Sequence, residues 1–185
     1  RTALLFLAAA ALLPAQEPEI YDLVLKGGRV IDPKNKRDGR FDIAISKGRI
    51  RKIAASIPAA QCRKIVQVGD YIVTPGLIDL QANFDTATGS AGVNPDHNSL
   101  RAGVTTAVES GHIDAANFAS FRDHVIAHSK TRVLVWARPS VDAAFLKQNA
   151  ATVVGIRVPA GQPVEPAVQT AAAANSIVMA DYAPG

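Results

Sequence analysis

The chain has 185 residues, 48% of them hydrophobic, which is enough apolar material for one folded domain and part of another. The net charge of +4 is mild, and the basic residues are scattered rather than interleaved with aromatic ones, so we expect no nucleic-acid-binding surface. The single cysteine, Cys62, excludes an intramolecular disulfide and any Cys-x-x-Cys metal or redox motif.

The first segment of the chain is an almost wholly apolar run over residues 2–13, preceded by Arg1 and followed by Pro14 and Ala15. This arrangement is typical of a secretory signal, and the run is too short to span a bilayer as a stable helix. We therefore predict that residues 1–16 are a signal peptide and that the mature protein is exported to the periplasm or the cell exterior, free of the membrane. A buried apolar helix is the alternative.

Residues 20–75 consist of short β-type runs separated by turns that contain glycine. Three turns, at Gly27-Gly28, Lys47-Gly48 and Gly69-Asp70, each lie between two such runs. The pattern predicts three hairpins that form a small antiparallel β-unit. Lysine and arginine at its outward positions suit a sheet with one solvated face.

After residue 75 the pattern changes to apolar strand candidates that alternate with helical segments. The predicted strands are residues 77–84, 104–108, 132–137, 153–158 and 176–180, and the predicted helices are residues 117–129 and 165–175. Such alternation indicates an α/β fold built from βα units around a parallel sheet. Five strands fit either an open sheet or a truncated barrel, because a closed (β/α)₈ barrel needs eight strands and about 250 residues.

Three motifs then show a resemblance to a known family. They are YDLVLKGGRVIDP at residues 21–33, FDIAISKGRIRKIA at residues 41–54 and YIVTPGLIDL at residues 71–80. Their order and spacing resemble the start of amidohydrolase-superfamily enzymes, and AGVTTAVESG at residues 102–111 resembles the dihydroorotase-like and deacetylase branch in particular.

The resemblance implies a two-part architecture for the chain. Residues 20–75 would belong to a small composite β-sandwich, and residues 76–185 would be the N-terminal part of a (β/α)₈ TIM-type barrel, with about five βα units. It also implies one or two divalent metals, usually zinc, at the barrel mouth. The family reaction is metal-dependent hydrolysis of amide or cyclic-amide C–N bonds, in which the metal acidifies a water molecule. The ligand would be a small amide-like or carboxylated molecule, and a homo-oligomer is compatible with the family.

The positions at which the family carries metal ligands hold other side chains in this sequence. Gln81 and Asn83 stand at the His-x-His pair after the first barrel strand, Arg157 stands at the carbamylated lysine, and Asp181 stands at the histidine of the fifth strand. A carboxamide is a poor zinc ligand, and a guanidinium cannot form a carbamate. We therefore predict a degenerate or lost metal centre, with an ion pair between Arg157 and Asp181 in its place.

Two further residues are candidates for the mouth of the barrel. His112 follows the second predicted strand and could act as a general base or a ligand, and Asp85 follows the first strand and could contact a substrate. For His112, an exposed loop histidine without a role is the alternative. Three functions remain open. The chain could be an amidohydrolase-like protein without its metal, an active exported deacetylase-like or dihydroorotase-like hydrolase with atypical ligands, or a non-catalytic binding or structural protein.

Overall fold

The computed structural model describes residues 19–84 and 92–181. It divides into two compact units on either side of the bond between Pro75 and Gly76. We call these the β-unit and the barrel unit. The predicted signal peptide lies outside the described residues. Within the described ranges, every helix is too short or too polar to cross a bilayer.

The β-unit contains one mixed sheet. Its strands are β1 (Leu23–Asp32), β2 (Arg37–Ser46), β3 (Arg49–Ala54), β4 (Ile65–Gln67) and β5 (Ile72–Val73). The strand order is β3-β2-β1-β4, and β5 also pairs with β1. The pairs β1–β2 and β2–β3 are antiparallel, whereas β4 and β5 both run parallel to β1.

Only one of the three predicted hairpins is confirmed, the one that turns at Lys47-Gly48 between β2 and β3. Gly27-Gly28 is not a turn. The pairing register of β1 shifts between Leu25 and Gly28, and Gly27 has φ of 79°, so these glycines form a bulge within one continuous strand. The third hairpin is also wrong, because β4 and β5 pair with β1 rather than with each other.

A buried carboxylate holds the centre of the β-unit together. Asp42 is only 3% exposed, and its oxygens accept hydrogen bonds from Lys26 Nζ at 2.8 Å and from the backbone N–H groups of Gly27 at 2.9 Å and Ile57 at 2.8 Å. Burial opposes ionisation of Asp42, but these donors outweigh it and hold the pKa of the carboxyl below its ordinary value. The carboxylate thus ties β1, β2 and the segment after β3 to one another.

The substitution Asp42→Asn should lower the free energy of unfolding of the full chain by about 2 kcal/mol, because the amide can satisfy fewer of the three donors and leaves the ammonium of Lys26 without its counter-ion. Urea denaturation would measure this. The control is Asp38→Asn, which removes an exposed ion pair with Arg29 and should leave the midpoint nearly unchanged. Equal midpoint shifts in the two variants would contradict the assignment.

The contribution of Asp42 should also depend on pH in a defined direction. Since its pKa is lower in the folded state, the stabilisation is fully present above the unfolded-state pKa of about 3.9 and is lost as the pH falls through the folded-state pKa. The stability difference between the parent and Asp42→Asn should therefore be constant from about pH 7 to pH 5 and shrink below about pH 4. A difference that stays the same size from pH 7 down to well below about pH 4 would refute the role of the charge.

The barrel unit is a curled parallel sheet covered by helices. Its strands are β6 (Leu77–Ala82), β7 (Val104–Ile113), β8 (Arg132–Ala137), β9 (Val153–Val158) and β10 (Ile177–Ala180). They lie in the order β10-β9-β8-β7-β6, with every neighbouring pair parallel. The helices are α1 (Pro95–Asn98), α2 (Phe118–His124), α3 (Ala143–Gln148) and α4 (Glu165–Ala173).

The helices bury their apolar side chains against one face of this sheet. Phe118 and Phe121 of α2, Leu146 of α3 and Ala167 of α4 form one cluster with the buried strand residues. The predicted α/β class and the half-barrel of five parallel strands are confirmed. The helix predicted over residues 117–129 is shorter than expected: α2 ends at His124, and a 3₁₀ turn, Ile126–His128, follows.

Candidate functional site

Parallel pairing brings the carboxyl ends of β6 to β10 to one rim of the barrel unit, and side-chain alternation decides which residues face away from the helices. On β9, Ile156 and Val158 belong to the core beneath the helices, so Arg157 between them lies on the opposite face. Around the end of β6, Ala82 is buried in the same core, whereas Gln81 and Asn83 are exposed. In the barrel fold, reactive groups occupy this rim.

Arg157 and Asp181 form a bidentate ion pair at the ends of β9 and β10. Arg157 Nε donates to Asp181 Oδ1 at 3.0 Å, and Nη2 donates to Oδ2 at 2.8 Å. A third bond runs from Nη1 to the carbonyl oxygen of Ser110, at 3.2 Å. The two side chains are 15% and 30% exposed, so the pair is largely screened from solvent. The predicted ion pair between these two residues is confirmed, and parallel neighbouring strands explain it.

The two carboxamides do not join this pair. Gln81 and Asn83 lie at the end of β6, an edge strand separated from β9 by β7 and β8. In the described part of the chain, the side chains of Arg157 and Asp181 bond to each other and to Ser110, and neither amide is among their partners. The structure therefore brings together two of the four positions at which the resemblance places metal ligands.

This set of donors does not fit a zinc ion. Two of the side chains are carboxamides, one is a permanent cation, and the one carboxylate, Asp181, is already held by that cation. Across residues 19–84 and 92–181, no three histidine, cysteine, aspartate or glutamate side chains come close enough to share a metal.

His112 lies on a bulge at the carboxyl end of β7. The register with β8 runs from Ser110 opposite Trp136 to Ile113 opposite Ala137, so Gly111 and His112 are extra residues on β7. Gly111 has φ of 108°, which favours glycine. Bulges of this kind redirect side chains and are frequent next to active sites.

A buried carboxylate faces the His112 ring. Glu109 is fully buried, one of its oxygens accepts the backbone N–H of Phe84, and Oε1 lies 3.4 Å from His112 Nδ1. The His112 side chain itself is 39% exposed. Sequence reasoning selected His112 but missed Glu109, because their contact depends on a bulge that hydrophobic periodicity does not reveal. Asp85, the other predicted loop residue, lies outside the described residues.

Three polar side chains donate hydrogen bonds to carbonyl oxygens of this bulge. Arg157 bonds to the carbonyl oxygen of Ser110, and Arg138 Nε donates to the carbonyl oxygen of Gly111 at 3.2 Å. Asn117 Nδ2 donates to the carbonyl oxygen of His112 at 2.7 Å. Sequence reasoning also missed Arg138, although its position directly after β8 placed it on the same rim.

Comparisons with known proteins agree with this architecture. No protein-family model matches the chain. A dihydroorotase of Geobacter sp. (strain M21) is 33% identical over 128 residues, which are 62% of this chain and 28% of that protein. The chain thus spans less than a third of the length of that relative.

Two solved structures share the fold. One is a dihydroorotase, with a TM-score of 0.67, 19% identity and coverage of 85% of this chain and 50% of that one. The other is the L-hydantoinase (dihydropyrimidinase) of Arthrobacter aurescens, with a TM-score of 0.70, 17% identity and coverage of 87% and 40%. At these identities the likeness concerns the fold alone.

The ion pair can be tested by a double-mutant cycle. Arg157→Met and Asp181→Asn should each destabilise the full chain, because each leaves a partly buried group without its partner. The double variant should be more stable than the sum of the two single losses predicts, with a coupling of about 1–3 kcal/mol from denaturant unfolding. The matched control is the exposed pair of Arg122 and Asp123, whose cycle should show far weaker coupling. Strictly additive losses at Arg157 and Asp181 would disprove the interaction.

Proposed function

Because the chain is related to the amidohydrolase superfamily, we propose that it forms the first half of an amidohydrolase-like barrel in which an internal ion pair replaces the catalytic metal. The observation that carries the proposal is the bidentate contact of Arg157 with Asp181 at the rim. The guanidinium of Arg157 supplies positive charge at the rim, and the carboxylate of Asp181 balances that charge. A metal ion beside the guanidinium would be repelled.

The same rim carries a charged group that favours one class of ligand. Arg138 is a second cation at the ends of the strands, its side chain is 47% exposed, and among the described residues it pairs with the carboxylate of Asp114 at 4.0 Å. An exposed arginine with a loose partner can take up a carboxylate in a two-pronged geometry. We accordingly expect the rim to bind a small amide-like or carboxylated molecule. The amide part would occupy the space next to the exposed carboxamides of Gln81 and Asn83.

The hydrolytic reaction of the family is a second candidate, and two observations favour it. The related protein from Geobacter is a dihydroorotase. The ring of His112, which lies next to Glu109, can accept a proton at the rim. In this version the chain would be an exported, metal-dependent hydrolase of amides or cyclic amides with atypical metal ligands. Export rests only on the apolar segment of residues 2–13.

The two versions differ in metal content and in metal dependence. We expect the purified full-length protein to contain well under one zinc per chain by plasma mass spectrometry. We also expect any turnover of dihydroorotate, hydantoin or N-acetylglycine to be insensitive to a chelator, because no described group of ligands can hold the ion. A zinc-containing hydrolase, treated identically, is the positive control for metal retention. Stoichiometric zinc together with chelator-sensitive hydrolysis of any of these three probes would refute the ion-pair replacement.

A further inference from the structure

The contact between Glu109 and His112 has a chemical consequence for the ring. A carboxylate can only accept hydrogen bonds, so we assign the proton of the ring to Nδ1, the nitrogen that faces Glu109. The neutral imidazole then has its lone pair on Nε2. A neighbouring carboxylate that fixes a histidine tautomer in this way is a recurring device in enzymes that move protons.

Neighbouring groups fix the positions of both Glu109 and His112. Glu109 is fully buried and anchored by the backbone N–H of Phe84, so its carboxylate has a fixed position. The main chain of the bulge is held at three consecutive carbonyl oxygens by Arg157, Arg138 and Asn117. The ring of His112 remains 39% exposed, which leaves it accessible to water and to a small ligand. A buried positioning group and an accessible acceptor are the two parts that general base catalysis needs.

We propose that His112 is a metal-independent general base at this rim and that Glu109 positions it. This rests on the proposed function, since it assumes that an amide ligand occupies the rim. In the step, His112 Nε2 takes a proton from a water molecule, the water oxygen bonds to the amide carbon, and the C=O electron pair moves onto oxygen. When the tetrahedral species collapses, the C–N bond breaks and the imidazolium returns the proton to the leaving nitrogen. Water is the only co-reactant.

The tautomer is tested directly by long-range ¹⁵N–¹H NMR of the labelled full-length protein at alkaline pH. We expect His112 to show the Nδ1–H form in the parent and in Glu109→Asp, and to shift towards Nε2–H in Glu109→Gln. His124 is an internal reference, because its Nδ1 faces the carbonyl oxygen of Ser120 at 2.9 Å and must also carry the proton. An Nε2–H tautomer for His112 in the parent would overturn the assignment, as would a spectrum that Glu109→Gln leaves unchanged while His124 reports a folded protein.

Hydrolysis of the three probes in the presence of a chelator tests the base itself. His112→Gln should lower kcat/KM by about 100-fold or more, with the loss in kcat rather than in KM, while the exposed His97→Gln should have no effect. Glu109→Asp should retain more activity than Glu109→Gln. Equal rates for His112→Gln and the parent would overturn the proposal, and so would the absence of turnover by the parent. The ion-pair replacement would survive either result, because the zinc content decides it separately.

Discussion

The parallel register of five neighbouring strands is the constraint on which the site depends. It brings every strand's carboxyl end to one rim, so residues far apart in sequence become neighbours without any special contact of their own. Arg157 and Asp181 meet because β9 and β10 pair in register, with Met179 opposite Arg157. A close approach within this pair requires glycine, because a side chain at Gly155 would collide with the carbonyl oxygen of Ile177. Between β6 and β7, a side chain at Gly76 would likewise collide with Thr105.

The rim depends on charges that balance locally. The guanidinium of Arg157 is satisfied in three directions, by two carboxylate oxygens of Asp181 and one carbonyl oxygen of Ser110. That third bond couples the ion pair on β9 and β10 to the bulge on β7, where His112 lies. Arg157 and His112 therefore belong to one hydrogen-bonded framework. Partly buried charges are stable only when such partners are supplied.

How much the sequence could predict differs between the two units. In the barrel unit, continuous apolar runs such as residues 132–137 and 153–158 mark buried parallel strands. The ion pair could be predicted only through the family resemblance, which places metal ligands at the positions of Arg157 and Asp181. In the β-unit, a glycine pair looks the same in a turn and in a bulge, which is why Gly27-Gly28 was misread. The parallel pairing of β4 and β5 with β1 is non-local, and nothing in a local pattern specifies it. The contact of Glu109 with His112 depends on two extra residues in one strand, which only the register with β8 reveals.

The bidentate ion pair gives the rim a property that a metal site lacks. A metal ion is in exchange with its surroundings, so its occupancy depends on supply, on competing chelators and on replacement by other ions. The guanidinium of Arg157 is covalently part of the chain and keeps its charge throughout the physiological pH range. This charge is present as soon as the chain has folded, whatever the local abundance of zinc. The positive charge of Arg157 is therefore part of the amino-acid sequence and does not have to be taken up from the surroundings.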